Sequence, residues 1–115
     1  MSAEILIVSE ERLIKLIEKI YTIGRSIDCD ICIRVPSLSR FHASISRDDE
    51  NNHILCDGDL TTGKPSLNGT RLNGTVLEYK HGRILENGDE ITLSPLVSLR
   101  FFNIEIEEKD DSTLL

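Results

Sequence analysis

Two Asn-Gly pairs stand five residues apart, at Asn68-Gly69 and Asn73-Gly74, and a third turn follows at Asn87-Gly88-Asp89. Asn and Gly tolerate positive φ at little cost, so such pairs reverse the chain tightly and leave room only for very short extended pieces between them. Pro36, Asp48-Asp49-Glu50-Asn51-Asn52, Gly63, Pro65 and Ser94-Pro95 punctuate the rest. Turn signals thus recur at roughly the eight-to-twelve-residue spacing of an antiparallel β-sandwich. The apolar share is 39%, mostly isoleucine, leucine and valine with only 4% aromatics, and this balance also favours sheet. At 115 residues the chain is one domain that can bury a core without disulfide or metal staples.

The expected strands are Ile5–Val8, Ile31–Val35, Phe41–Arg47, His53–Asp57, Glu90–Leu93 and Val97–Ile106, with an acidic, frayed tail over 107–115. Along Phe41–Arg47, Ala43 and Ile45 share one face and Ser44 and Ser46 the other. One segment is ambiguous. Leu13, Leu16, Ile17 and Ile20 recur at helical spacing, so pattern slightly favours an amphipathic helix over 10–20, against strands at Leu13–Leu16 and Glu18–Ile23.

The formal charge of −7 argues against a nucleic-acid surface or an anionic membrane as partner, since both demand a broad basic face. It leaves room for a small basic pocket. From Arg25 to Arg47 there are four arginines against Asp28 and Asp30, a local net of +2. The three cysteines, Cys29, Cys32 and Cys56, read as buried thiols in a reducing cytosol, because a zinc site needs four ligands and the redox CxxC motif needs a βαβ context. Neither a metal nor another cofactor is expected. Met1–Val8 lacks the basic start and apolar run of a signal peptide and no stretch reaches membrane-span length, so the expected location is the cytoplasm.

Function therefore belongs to loops that rigid sheets position. Gly24-Arg25 ends an apolar strand, and a guanidinium at the sheet rim can bond two phosphate oxygens at once. Ser39 and His42 stand three apart, which suits a hydroxyl donor beside an inward, structural histidine better than a hydrolytic pair with Asp57 as orienter. Asn68 is either turn chemistry or a clamp on peptide backbone, since its amide both donates and accepts.

The succession Gly24-Arg25, Ser39-Arg40-Phe41-His42-Ala43, Ser66-Leu67-Asn68-Gly69-Thr70, Asn73-Gly74 and Leu85-Glu86-Asn87-Gly88-Asp89-Glu90-Ile91 resembles the forkhead-associated (FHA) domain, over about Ile5 to Ile104. The resemblance implies an all-β sandwich of about eleven strands whose apical loops bind phosphothreonine peptides without catalysis, over residues 1–106. It also implies strand, not helix, before Gly24. By the same resemblance Arg25, Ser39 and Arg40 hold the phosphate, Asn68 holds the peptide backbone, and Gly24, His42, Gly69 and Thr70 shape the loops. The implied partner is a phosphothreonine protein downstream of a Ser/Thr kinase, bound by a monomer. A phosphate-independent assembly domain that uses a sheet face is the alternative.

Two departures stand out. Leu67 occupies a position where many members carry a hydroxyl or basic group, and Gly58–Pro65 is longer than the family commonly needs. Lys64 in that insertion is a candidate accessory contact, as is Leu67. Pro36-Ser37-Leu38, which the resemblance aligns with the reader of the third residue after the phosphothreonine, offers no charge. Thr61, Thr62 and Thr113 are candidate phosphorylation sites for docking between copies.

Overall fold

A computed structural model describes residues 2–104. The eleven strands form two sheets, and segments such as His53–Asp57 and Glu90–Leu93 alternate buried and less buried residues as a half-buried sheet requires. The first sheet runs in the order β2 (Arg12–Lys15), β1 (Ser2–Ile7), β11 (Val97–Ile104), β10 (Glu90–Ser94), β7 (Arg71–Leu72), β8 (Thr75–Val76). In the second the order is β4 (Ile31–Cys32), β3 (Ile20–Gly24), β5 (Ala43–Arg47), β6 (His53–Asp57), β9 (Arg83–Ile84). Every pair is antiparallel except β3 with β4, where Ile23 faces Ile31 and Gly24 faces Cys32 in parallel. Ile5, Ile7, Leu99, Phe101 and Ile91 from one sheet meet Ile23, Ala43, Ile45 and Leu55 from the other in a common core. Among the described residues no helix is long and apolar enough to cross a membrane.

The ambiguous stretch is sheet. Of the four residues at helical spacing only Leu16 is buried, while Leu13, Ile17 and Ile20 are exposed, so the apparent apolar face has nothing to cover. Glu11 sits in the left-handed region at φ 51° and turns the chain after a single 3-10 turn, Val8–Glu10. β2 then pairs back on β1, with Ile14 opposite Ile5. The Tyr21 hydroxyl accepts from the N–H groups of Ile17 and Glu18, at 2.9 and 3.0 Å, and so partners two donors that a helix would have used itself.

The other boundaries shift modestly. β1 begins earlier than expected and ends before Val8; β3 starts at Ile20 rather than Glu18; β5 starts at Ala43 rather than Phe41. Ile31–Val35 shortens to two residues of strand, because the Val35 N–H turns back onto the Ile33 carbonyl at 2.8 Å. Asn73-Gly74 closes the β7–β8 hairpin with positive φ at both positions, as its sequence predicts. The expected end of the last strand at Ile106, the 107–115 tail and Thr113 lie outside the described residues. The thiols depart from the uniformly buried reading: Cys29 is buried, Cys32 and Cys56 half-buried, and all three are free.

Candidate functional site

β3 ends against the segment that precedes β5, and main-chain bonds lock the crossing. Arg25 N–H donates to the Ser39 carbonyl and Ser26 N–H to that of Arg40, each at 3.1 Å, while His42 N–H reaches Ile23 at 2.8 Å. The approach is so close that a Cβ on Gly24 would lie 2.2 Å from the Arg40 carbonyl oxygen. Only glycine allows it. Cys29 adds a thiol bond to the same carbonyl at 3.1 Å, and burial pushes that thiol's pKa up, which keeps it protonated as a donor.

This crossing brings Arg25 and Ser39 together. Arg25 is exposed, and its Nε–H donates to the Leu38 carbonyl at 2.9 Å, which fixes the guanidinium while leaving its outer N–H groups for a ligand. The Ser39 hydroxyl accepts the Leu67 N–H at 2.9 Å and so keeps its own proton to donate.

His42 is fully buried and joins two loops. Its Nδ1 accepts the Ser39 N–H at 3.0 Å, so the ring proton sits on Nε2 and is donated to the Gly69 carbonyl at 2.8 Å. Burial lowers the pKa below the ordinary 6.5, which favours this neutral form. With both nitrogens engaged by backbone and the Ser39 hydroxyl held by Leu67, the nucleophile–base pair of a hydrolase is not formed.

The third loop, 58–70, is organised differently. The buried Asp57 carboxylate accepts from the Ser66 hydroxyl and the Thr70 hydroxyl, both at 2.6 Å, and from the Ser66 N–H at 3.1 Å. Ser66 passes the order on by accepting the Gly69 N–H at 2.9 Å. Thr70 is thus a loop-shaping residue, and Asp57 is the centre that sequence reasoning missed. Its partners lie nine and thirteen positions away, a spacing that no local capping or turn rule flags.

Asn68 is exposed at the tip, with one amide N–H given to the Ser37 carbonyl at 2.6 Å and its carbonyl side left open. Ser37 in turn bonds Ser94 at 2.9 Å, which ties the tip to the β10–β11 hairpin. The inserted segment is folded on itself: Asp59 and Lys64 bridge backbone to backbone, and the Asp59 carboxylate accepts from Thr61 N–H and the Thr62 hydroxyl. Between this segment and the second loop lies a cleft of about 400 Å³, with Ser39, Arg40 and Phe41 on one side and Lys64, Pro65 and Leu67 on the other. Lys64 and Leu67 therefore both join Ser39 and Arg40 in lining the cleft, with Leu67 92% exposed.

The molecule is thus a two-sheet sandwich whose interlocked loops present a rim arginine, a serine hydroxyl with its proton left to donate and a tip amide, a donor set that suits an anion. The model of the FHA domain family matches residues 21–94, and the chain belongs to this family. It is 34% identical over 108 residues to the serine/threonine-protein kinase RAD53 of Saccharomyces cerevisiae, a match that covers 89% of this chain and 12% of that protein. The chain therefore spans only a small part of this relative's length. The solved structure of the Slr1951 protein from Synechocystis superposes with a TM-score of 0.79 at 34% identity, covering 91% of this chain and 98% of that one. Mycobacterium tuberculosis EmbR, solved in complex with a low-affinity phosphopeptide, matches with a TM-score of 0.74 at 25% identity, over 88% of this chain and 24% of its own.

Proposed function

We propose that this chain is a phosphothreonine-binding adaptor module that docks phosphorylated protein partners downstream of a Ser/Thr kinase. The observation that carries the reading is the crossing of β3 with the 39–42 segment, where the Arg25 guanidinium is fixed on the Leu38 carbonyl and the Ser39 hydroxyl, one residue on, is fixed by the Leu67 N–H, both without a ligand's help. Arg25 pairs with the phosphate, Ser39 donates to it, and Arg40 supplies a further donor from the adjacent position. Asn68, with its open carbonyl, holds the peptide backbone. A phosphothreonine at neutral pH carries nearly two negative charges and strong acceptors, which such a donor set satisfies. EmbR's complex with a phosphopeptide supports the same class of ligand for the same fold.

The module works by binding rather than turnover, as a monomer in the cytoplasm, and it needs no cofactor. Neither nucleic acid nor membrane is a partner, in keeping with the net charge of −7.

Calorimetry with a phosphothreonine peptide, its phosphoserine analogue and its dephosphorylated form tests the proposal. Binding should require the phosphate and prefer threonine, and Arg25→Ala should cost about 2 to 5 kcal/mol of affinity by stripping a charge-assisted pair. Equal binding by wild type and Arg25→Ala would exclude the reading.

A further inference from the structure

His53 is a buried histidine that the fold leaves unsatisfied. It is 6% exposed and its ring lies against Phe101, centroid to centroid 5.4 Å, yet among the described residues neither ring nitrogen has a hydrogen-bond partner. Burying such a group bare is costly, and native proteins seldom do it unless something fills the gap. The ring borders a cavity of about 110 Å³ between the sheets, at the pole away from the apical loops. Ala3 and Leu16 wall it on the side of the first sheet, where the Leu16 N–H donates to the Ala3 carbonyl at 2.8 Å. Arg47, Asn51 and His53 form the other wall.

That polar wall is a set of donors. Arg47 and His53 are directly opposite on β5 and β6, so their side chains leave from adjacent points of the sheet. Among the described residues the Arg47 guanidinium makes no ion pair. Asp48, the carboxylate next to it in sequence, is engaged elsewhere: it accepts from the N–H groups of Glu50 and Asn52 at 2.9 and 2.8 Å and from the Asn52 amide at 3.2 Å. Those bonds also fix the turn that holds Asn51, at φ 66°, beside the cavity. A guanidinium, an amide and an imidazole with no carboxylate in the lining suit an anion and oppose a metal cation. The cavity is well below the roughly 300 Å³ of a drug-sized ligand site, and the guanidinium fork matches a carboxylate in two bonds. We propose that this pocket is a carboxylate-binding site, remote from the apical loops, in which Arg47 pairs with the carboxylate and Asn51 and His53 donate to it. Two sources supply that chemistry. Ala3 adjoins Ser2, which pairs with Ile104, and the sequence runs on from Ile104 through Glu105, Glu107, Glu108, Asp110 and Asp111. The other source is a carboxylate from outside the chain.

NMR titration of the histidine rings in the whole chain tests this, with sodium acetate as the probe against sodium chloride at equal ionic strength. His42, at the apical loops, and the exposed His81 serve as internal controls. If an outside carboxylate is the ligand, about 100 mM acetate should raise the His53 pKa saturably, by about half a unit or more, because a bound anion favours the imidazolium. If the chain's own carboxylates fill the pocket, acetate should do so only once the five acids from Glu105 to Asp111 are replaced by their amides, and that replacement by itself should lower the His53 pKa. Arg47→Met, which keeps the aliphatic stem, should weaken acetate binding at least about fivefold, with an unchanged His42 signal showing that the fold is kept. A His53 pKa that acetate moves in neither protein overturns the site. So does a shift shared equally by His42 and His81, or a response that Arg47→Met leaves intact.

Discussion

The two halves of the site reach comparable order by unlike means. At the Gly24–Arg25 crossing the order is in the main chain: strand end meets loop through backbone bonds, and a missing side chain makes room for them. In the third loop the order is in side chains, gathered on the single buried carboxylate of Asp57. His42 is the coupling, since it bonds Ser39 on one side and Gly69 on the other. A backbone lock fails through added bulk, whereas a carboxylate hub fails through lost charge, and the two should therefore break differently.

The largest effect is expected from bulk at the crossing. Gly24→Val should destabilise by about 3 kcal/mol or somewhat more, since its Cβ would overlap the Arg40 carbonyl and the strand end would have to part from the loop. Urea unfolding measures it, and a loss below about 1 kcal/mol would mean that the close approach is not what holds the crossing.

Asp57→Asn should cost about 2 kcal/mol, because it trades charge-assisted bonds from Ser66 and Thr70 for weaker ones. Amide exchange should quicken at Gly69 and Leu67 while Arg25 and Ser26 stay protected. Equal quickening in both regions would erase the distinction between them.

His42→Gln should cost about 1 to 2 kcal/mol and loosen both regions together. It should also change the response to acid. A histidine whose folded pKa lies below its unfolded 6.5 binds protons better when unfolded, so wild-type stability is full above about pH 6.5 and is lost as pH falls toward the depressed folded value. His53, lowered by burial and by nearby Arg47, adds a loss of the same sign. Thermal melts at about pH 7.5 and 5.5 should show wild type falling more than His42→Gln, with the variant's remaining fall due to His53.

The smallest effect, and the one of opposite sign, is Leu67→Thr. It should leave stability within about 0.5 kcal/mol because the side chain is exposed, yet tighten phosphothreonine binding by about 1 kcal/mol if a hydroxyl there reaches the phosphate. Calorimetry against the parent peptide decides, and no gain would place Leu67 outside the phosphate's reach.

Legibility in the sequence followed the same divide. The residues of the crossing were readable because they form a short, ordered succession, a glycine before an arginine and a serine three before a histidine, whereas the main-chain bonds that join them were not. The hairpin at Asn73-Gly74 was readable for the same reason. Asp57 was not, since it works on partners far along the chain that only the fold brings near. The helical spacing of Leu13, Leu16, Ile17 and Ile20 misled because periodicity says nothing about whether a partner surface exists, and only Leu16 found one. Asn68 reads in the sequence as turn chemistry or as a peptide clamp, and neither reading includes the brace that one of its amide protons makes to the second loop through Ser37. The parallel pairing of β3 with β4 left no local trace, for it depends on where the 26–30 loop delivers the chain.

The pairing of β1 with β11 sets Ser2 opposite Ile104, and β11 runs there from Val97, just past the hairpin that Ser37 grips. Seven residue steps of strand, roughly 24 Å, separate that hairpin from the Ser2–Ile104 pair. The paired strand ends at Ser2 and Ile104 thus lie at the pole of the first sheet opposite the hairpin that Ser37 and Asn68 brace.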